Sequence, residues 1–408
     1  MYLYGLKKTC YMKVFVLNCG SSSIKYKFLD MNANETLAQG GIEKIGLSGS
    51  FLKLTLPNGE KVVLEKDIPE HKTGIRFIMD TITGAAHGCI KSLSEIDAVG
   101  HRVVHGGERF NAGVVVTDEV IAQVAECIDL APLHNPPNLE GIYAIKELLP
   151  STPQVAVFDT AFHQTMPQEA YMYGLPYEYY TKYGVRRYGF HGTSHRYVSR
   201  RVCEFLNVPY EKQRIITCHI GNGGSITAIK NGKSVDTSMG MTPVEGLLMG
   251  TRCGDVDAGV LTFLMEKEHL DAQGISRLIN KQSGVDGLSG VSSDMREIET
   301  AVKAGNERAI MALKVYEYRI KKYIGAYAAA LGGVDIIVFT GGVGENQTGL
   351  RASVCKNLDY MGIQIDPERN KVRSEEIIIS TDSAKVKVVV IPTDEEWMIA
   401  QDTAELVG

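Results

Sequence analysis

Three features that would place this 408-residue chain in a class at once are missing. No apolar run approaches the roughly 18 residues that a membrane-crossing helix needs, which argues against a spanning segment. No charge of one sign dominates. The 43 Lys and Arg against 48 Asp and Glu give a formal −5, too little to draw the chain to nucleic acid or a membrane surface. The eight cysteines form no CxxC pair and no zinc-like group with histidines, so reduced thiols and a cytoplasmic location are expected. A secretory leader is not expected either. Lys7 and Lys8 precede an apolar segment, but Lys13 interrupts it and no small-residue cleavage site follows. Residues 1–11 read as a short extension ahead of a strand that starts at Met12 or Lys13.

What is present is ordinary globular composition, 44% hydrophobic with 42 glycines, in a chain long enough to need two or more domains. Residues 13–30, KVFVLNCGSSSIKYKFLD, set an apolar run and an alternating run on either side of a small-residue turn. Ile24, Tyr26 and Phe28 alternate with Lys25 and Lys27, the pattern of a β-hairpin. The turn from Asn18 to Ser23 puts hydroxyls beside exposed backbone N–H groups, so it is either a phosphate cup or a plain polar turn. A second copy shifts the balance. Residues 215–220, the turn Gly221-Asn222-Gly223-Gly224-Ser225 and residues 226–229 again read strand, turn, strand. Superposing Ser23 on Ser225 sets Gly20 on Asn222 and Ile24 on Ile226.

Around these hairpins, further strands are expected over 51–56, 61–64, 98–107, 154–159, 233–237, 334–340 and 386–391. Helices are expected over 75–84, 117–130, 139–149, 260–267, 274–281 and 309–331, with a last one to about 404. APLHNPP, residues 131–137, reads as the sharp end of the second helix. A repeat of this length means a duplicated α/β domain and not a solenoid. Two facing phosphate turns suggest a cleft that clamps a nucleotide from both sides. A Rossmann dinucleotide site is the rival, and the spacing opposes it. Ile226 and Gln347 stand where G-x-G-x-x-G needs its last glycine. Gly232-Lys233-Ser234 imitates the end of a Walker A loop, but Thr227 replaces the first glycine and the segment joins two strands.

Polar groups at strand ends and glycine turns are the candidates for chemistry. Arg102, within a buried, glycine-terminated strand, needs an anionic partner. Asn18 and Asp159 end strands, and Lys25 lies just past the first turn. In YGFHGTSH, His191 and His195 stand four apart. A metalloprotease would want Glu at position 192 and the chain has Gly192, so zinc is not expected; a capping turn is the plain alternative. Arg252 lies in the glycine-bounded loop GLLMGTRCGDVD. Glu395 and Glu396 start the last helix, where compensation of the helix dipole is the plain reading. The set contains no nucleophile–base pair of a hydrolase. It suits phosphoryl transfer, which needs positioning and positive charge around the moving group.

The blocks NCGSSSIKYKFLD, GHRVVHGG, APLHNPPNLEGI, VFDTAFHQTMP, YGFHGTSH, HIGNGGS, DTSMGMTPVEGLLMGTRCGDVD, SSDMRE, FTGGVGEN and IPTDEE, in this order, closely resemble the signature blocks of the acetate kinase family. They run from Lys13 to near the C-terminus, and HGTSH and MTPVEGLLMGTRCGD are highly specific. The resemblance implies two ribonuclease-H-like domains of the actin, Hsp70 and sugar-kinase type around a nucleotide cleft. The expected boundaries are 12–160 plus 396–408 for one domain and 161–395 for the other, with 1–11 outside both. It implies a cytoplasmic homodimer that binds neither nucleic acid nor membrane.

By resemblance, Asn18 and Glu395 are the Mg²⁺ positions, with Mn²⁺ as an alternative ion, and they are expected to meet from opposite sides of the cleft. Lys25 is implied as a nucleotide-binding lysine, and Arg102 as the contact to the substrate carboxylate. Asp159, His191 and Arg252 are implied as catalytic, the last two as transition-state stabilisers. Val104, Leu133, Phe190 and Pro243 are implied to line the substrate pocket. The ATP/ADP blocks correspond to His219, Ile220, Gly221, Asn222 and Gly223, to Asp294, Met295 and Arg296, and to Gly342, Val343, Gly344, Glu345 and Asn346. The activity implied is reversible Mg²⁺-dependent transfer of phosphoryl from ATP to acetate, for which direct in-line transfer is the expected route and a phosphoenzyme on a carboxylate such as Asp159 the alternative. Propionate kinase is the nearest alternative, since one methylene is worth only about 1–3 kcal/mol of discrimination. A nucleotide-gated binding protein of the actin or Hsp70 type is the more distant one. A carboxylic acid titrates near pH ~4, so acetate is already the nucleophilic anion at neutral pH and needs no base. Asp159 is therefore expected to orient an arginine or a metal-bound water, more than to accept a proton.

Overall fold

The structure, a computed structural model, describes residues 12–408, and the expected extension over 1–11 lies outside the described residues. The chain separates into two compact units. One holds the described residues up to Ala161 together with Asp394–Gly408, and the other holds Phe162–Thr393. The C-terminal segment belongs to the first unit because its helix folds back onto that unit's sheet. Glu395 therefore shares a unit with Asn18, against the expectation that the two approach from opposite domains.

The first unit is an eight-stranded sheet in the order β5-β4-β3-β2-β1-β6-β8-β7. β1 (Lys13–Cys19) and β2 (Ser23–Asp30) form the expected hairpin, with Asn18 opposite Lys25. Ile24, Tyr26 and Phe28 are buried and Lys25 is exposed, as the alternation requires. β3 (Glu35–Glu43), β4 (Phe51–Thr55) and β5 (Lys61–Glu65) continue the antiparallel meander. β6 (Ala98–Val103) and β8 (Gln154–Phe158) add on the other side in parallel, and β7 (Val114–Val115) closes the edge. β3 gives no strand signal because Gly40-Gly41 interrupts it. A Cβ at Gly40 would come within 2.0 Å of the Lys53 carbonyl on β4, so the ladder itself demands glycine there.

Helices cover both faces of this sheet. Ile75, Ile78 and Ile82 of helix His71–Thr83 and Ala144 and Ile145 of helix Asn135–Leu148 pack on Phe15, Leu17 and Tyr26. On the other face, Ile399 and Ala400 of helix Glu395–Val407 meet Val14, Val16, Val155 and Val157. That helix lies so close that a Cβ at Gly100 on β6 would sit 2.6 Å from Thr403 Oγ1. Helix Asn135–Leu148 starts earlier than the expected residue 139. Pro136 and Pro137 occupy its first turn, where a missing N–H costs nothing, so the prolines start this helix, and the preceding one already stops at Glu126.

The second unit repeats the plan. β9 (Arg214–Ile220), β10 (Gly224–Lys230) and β11 (Lys233–Thr237) form an antiparallel meander. β12 (Ile336–Thr340) pairs in parallel with β9, β14 (Lys387–Val390) in parallel with β12, and β13 (Ile377–Ile378) closes the edge. The order β11-β10-β9-β12-β14 matches β3-β2-β1-β6-β8 in position and direction, which is the duplication expected from the two turns. The register corrects the superposition, however. Cys19 pairs with Ile24 across the first turn and Ile220 with Gly224 across the second, so Ile24 corresponds to Gly224, not Ile226. Gly232 (φ +79°) and Asn231 (φ +54°) make the tight tip between β10 and β11, a hairpin and not a phosphate loop. Helix Glu307–Leu331 buries Ala309, Ala312, Tyr316, Ile320, Ile324, Tyr327 and Leu331 along one stripe against this sheet. Among the described residues no helix is long and apolar enough to cross a membrane.

Four buried histidines make stability pH-dependent. Burial pushes His101, His105 and His163 down to about 4, and His195 well below the ordinary 6.5. They stay neutral in the native state, while in the unfolded chain each takes up a proton below 6.5. Stability should therefore be fully present above pH 6.5 and fall as pH drops toward 4, by up to about 1.4 kcal/mol per pH unit for each histidine. Urea unfolding at several pH values checks this, and a free energy that stays flat through the window would contradict it.

Candidate active site

In the first unit the chemistry gathers at the C-terminal edge of β6 and β8, where neighbouring parallel strands end together. Arg102, near the end of β6, meets Asp159, the residue after β8, through Nε to Oδ1 at 2.9 Å and Nη2 to Oδ2 at 2.6 Å. Its Nη1 donates to Asn18 Oδ1 at 3.3 Å, and Glu395 Oε2 stands 3.8 Å from Nε. Burial alone would lower the Arg102 guanidinium, but Asp159, Glu395 and Glu396 hold it above the ordinary arginine range. An arginine has five N–H groups. Three are taken by Asp159 and Asn18, which leaves one on each terminal nitrogen. Those two form a fork of the right shape for a second carboxylate.

Asp394, Glu395 and Glu396 put three carboxylates at the start of the last helix. Asp394 is committed, pairing with Lys27 Nζ at 2.6 Å and accepting from the Trp397 amide at 2.9 Å. Burial raises Glu396, and Glu395 and Asp394 raise it further. Glu395 and the Asn18 side-chain oxygen both face the Arg102 guanidinium, and such oxygen donors suit a hard divalent cation. Lys25 is exposed on β2.

The second unit assembles a different group. His219 and Ile220 end β9, and Gly221–Gly223 turn back, with Gly221 N donating to Gly223 O at 2.8 Å. A Cβ at Gly223 would lie 3.5 Å from both Arg252 Nη1 and His191 Nε2, so the bare glycine backbone has both side chains against it. His191 precedes helix Gly192–Leu206 in left-handed conformation (φ +55°). Few non-glycine residues adopt this conformation, which asparagine and histidine tolerate best. The His191 ring stacks on His219 with centroids 4.4 Å apart. YGFHGTSH is thus the capping turn and first residues of a 15-residue helix, with His191 at the N-cap position. Arg252 is the contrast to Arg102. Its Nη1 reaches only the Pro243 carbonyl at 3.5 Å and Met249 Sδ at 3.9 Å, and burial lowers its pKa. Among the described residues it meets no carboxylate. A half-buried cation without a counter-ion is a receptor for an anion.

The nucleotide candidates divide by environment. Gly342 is exposed and Val343 packs on the core. Glu345 is turned inward: its Oε1 accepts from the amides of Gly341 (2.9 Å) and Thr393 (3.1 Å). The carbonyls of Gly344 and Glu345 accept from the buried Arg351, each at 2.8 Å, and Asn346 Nδ2 donates to Gly342 O at 2.9 Å. Gly341–Asn346 is a short helix braced from inside, and the glycine at its start is required. At φ +77°, a Cβ on Gly341 would lie 2.8 Å from the Ile220 carbonyl. Asp294 caps helix Met295–Lys303 and pairs with Arg296 at the surface, and Met295 is buried. Of the pocket candidates, Val104 and Phe190 are buried, Pro243 is half-buried, and Leu133 is 59% exposed.

Asn138 escaped the sequence reading. Its Oδ1 accepts from the Val104 amide at 3.0 Å and its Nδ2 donates to the Cys19 carbonyl at 2.7 Å, tying the Arg102 strand to the first turn. Two asparagines three apart, Asn135 and Asn138, on an otherwise apolar buried helix face were the available signal.

Comparison with known proteins agrees with this layout. The model of the acetokinase family matches residues 13–401. An acetate kinase of Parabacteroides distasonis is 70% identical over 396 residues, covering 97% of this chain and 99% of that one. The crystal structure of Porphyromonas gingivalis acetate kinase matches with TM-score 0.94 at 65% identity, covering 97% of this chain and 100% of that one. A propionate kinase structure from Francisella tularensis matches with TM-score 0.91 at 38% identity, covering 97% and 100%. With a family match over nearly its whole length, relatives at two-thirds identity or more and the same fold in both units, this chain belongs to the acetokinase family.

Proposed function

We propose that the chain transfers the γ-phosphoryl group of ATP to acetate, giving acetyl phosphate and ADP, and that it catalyses the reverse reaction as well. Family membership carries the acetate kinase activity, with ATP/ADP and a divalent metal as what the family implies. The observation that supports the division of labour is the contrast between the arginines. Arg102 is saturated on one side by Asp159 and open on the other, whereas Arg252 has no carboxylate.

The open edge of Arg102 binds the acetate carboxylate, and Asp159 keeps the guanidinium in the plane that presents that edge. Acetate arrives ionised, so no base is required. One carboxylate oxygen attacks the γ-phosphorus as the bond to the β-phosphate oxygen breaks, and the electron pair leaves on ADP. No proton moves. Arg252 and His191, both against the Gly221–Gly223 turn, meet the charge that builds on the transferring group. Backbone N–H groups of that turn and of Gly341–Asn346 receive nucleotide phosphates, with Lys25 and the Asp294–Arg296 segment as further nucleotide contacts. Mg²⁺, held by Asn18 and Glu395, would neutralise phosphate charge and so ease the approach of one anion to another. Val104, Leu133, Phe190 and Pro243 bound the methyl group and favour acetate over propionate by the small margin that one methylene allows.

A second copy of the chain is the proposed partner. Helix Ala258–Lys267, AGVLTFLMEK, has no buried residue, and its Phe263 is 56% exposed. Ten residues make a marginal helix in water unless an apolar face is packed, and a two-fold partner supplies that packing. The seven described cysteines are unpaired, which suits a cytoplasmic location.

Steady-state kinetics test the reading. The kcat/KM for acetate should exceed that for propionate, and the reverse order would reassign the substrate. Arg252→Ala should lower kcat by about 10²–10³ with little change in KM, as expected for a contact made in the transition state. Arg102→Ala should show the larger rise in acetate KM. If both variants raised KM and left kcat intact, the proposed split would be wrong.

Glu395→Ala should raise the Mg²⁺ concentration needed for half-maximal rate while metal-free nucleotide binding, followed by calorimetry, stays near wild type. An unmoved Mg²⁺ dependence would leave Glu395 as a helix-start carboxylate only. Phe263→Glu should shift the sedimentation coefficient from dimer to monomer, and an unchanged coefficient would place the interface elsewhere.

A further inference from the structure

Tyr173, Arg187 and Glu245 are three polar side chains that the proposed reaction does not use, yet they converge on the loop that carries Pro243 and Arg252. Arg187 Nη1 donates to the carbonyls of Thr237 (2.6 Å) and Ser238 (3.1 Å), where the loop leaves β11. Its Nη2 donates to Glu245 Oε1 at 2.5 Å, further along the same loop. Glu245 Oε2 accepts from the Tyr173 hydroxyl at 2.5 Å, and the Tyr173 oxygen accepts from the Met241 amide at 2.9 Å, in the middle of the loop. Entry, middle and far limb are thus tied to one triad. The turn wraps it tightly: a Cβ at Gly240 would fall 1.8 Å from Glu245 Oε2 and 2.3 Å from the Tyr173 oxygen, so a side chain there would displace the triad.

We infer that Tyr173, Glu245 and Arg187 are positioning residues that act on Arg252 through the Pro243 backbone carbonyl on which it rests. The inference rests on the proposed role of Arg252 toward the transferring phosphoryl group. Arg252 itself has weak anchors, the Pro243 carbonyl at 3.5 Å and Met249 Sδ at 3.9 Å. Its placement therefore depends on where the loop puts that carbonyl. Two residues before Pro243, the Met241 amide hangs on the Tyr173 hydroxyl. Burial, with Glu245 beside it, holds Tyr173 above the ordinary tyrosine range, so the hydroxyl keeps its proton and remains the donor. The loop is also pinned beyond the triad, since Gly246 N donates to Asp255 Oδ1 at 2.9 Å and Asp255 Oδ2 accepts from the Tyr323 hydroxyl at 2.8 Å. The segment between Met241 and Glu245, which holds Pro243, depends on the triad.

A double-mutant cycle on the full chain tests this. Tyr173→Phe removes one oxygen and keeps the ring. We expect kcat to fall about tenfold with the KM values for acetate and ATP within about twofold of wild type, because positioning acts on the transition state. In an Arg252→Ala background the same change should cost less than about twofold, since the group being positioned is gone. An equal loss in both backgrounds would overturn the clamp while leaving Arg252 in its role. An Arg252→Ala variant with unaltered kcat would instead overturn the reading of Arg252 on which the clamp rests. Should Tyr173→Phe fail to fold, Glu245→Gln, which keeps the volume and one acceptor, carries the same cycle with the same two outcomes.

Discussion

The bidentate ion pair between Arg102 and Asp159 is the interaction around which the first unit's site is arranged. Burying two charges costs several kcal/mol per ion unless geometry and extra hydrogen bonds repay it. Here the strands supply the geometry. Val103 on β6 is in register with Phe158 on β8, so Arg102 and Asp159 emerge at the same sheet edge. Asn18, near the end of β1 on the other side of β6, reaches the same guanidinium. Three parallel-edge positions thus converge without a loop having to be ordered. Asn138 then fixes the spacing between the first turn and the β6 exit from beneath. A carboxylate engaged through both oxygens by one guanidinium holds that guanidinium in a fixed plane.

The second unit solves the opposite problem. Under the proposed role a γ-phosphate would need positive charge that no protein anion has already cancelled, and the surroundings of Arg252 are carbonyl, thioether and glycine. The glycine turns allow the approach. Gly223 leaves room for Arg252 and His191, and Gly250 leaves room for Asn222, whose Oδ1 would lie 2.0 Å from a Cβ there. Glu345 and Arg351 brace Gly341–Asn346 from inside. Rigidity supplied from behind lets a site stay polar without collapsing on itself.

Legibility in the sequence followed the range of the physics. The hairpin over β1 and β2, the second hairpin and the long helix Glu307–Leu331 were readable because alternation, glycine turns and a 3.6-residue stripe are local properties. β3 was not, because Gly40-Gly41 answers to the Lys53 carbonyl on another strand. Helix Asn135–Leu148 was placed late because Pro136 and Pro137 were read with the end of the preceding helix, although proline also fits a first helical turn.

By itself the sequence determined the residue inventory, the duplicated order of strands and the family, since the motif blocks are contiguous and long. Tertiary structure alone decided which of those residues meet. Arg102, Asp159, Asn18 and Glu395 span almost the whole chain, and they come together because parallel strands end at one edge and the last helix folds back upon it. It also decided that one arginine would be paired and the other left open. Charge pairing is a matter of a few ångströms between distant segments, and no pattern in the neighbouring residues records it.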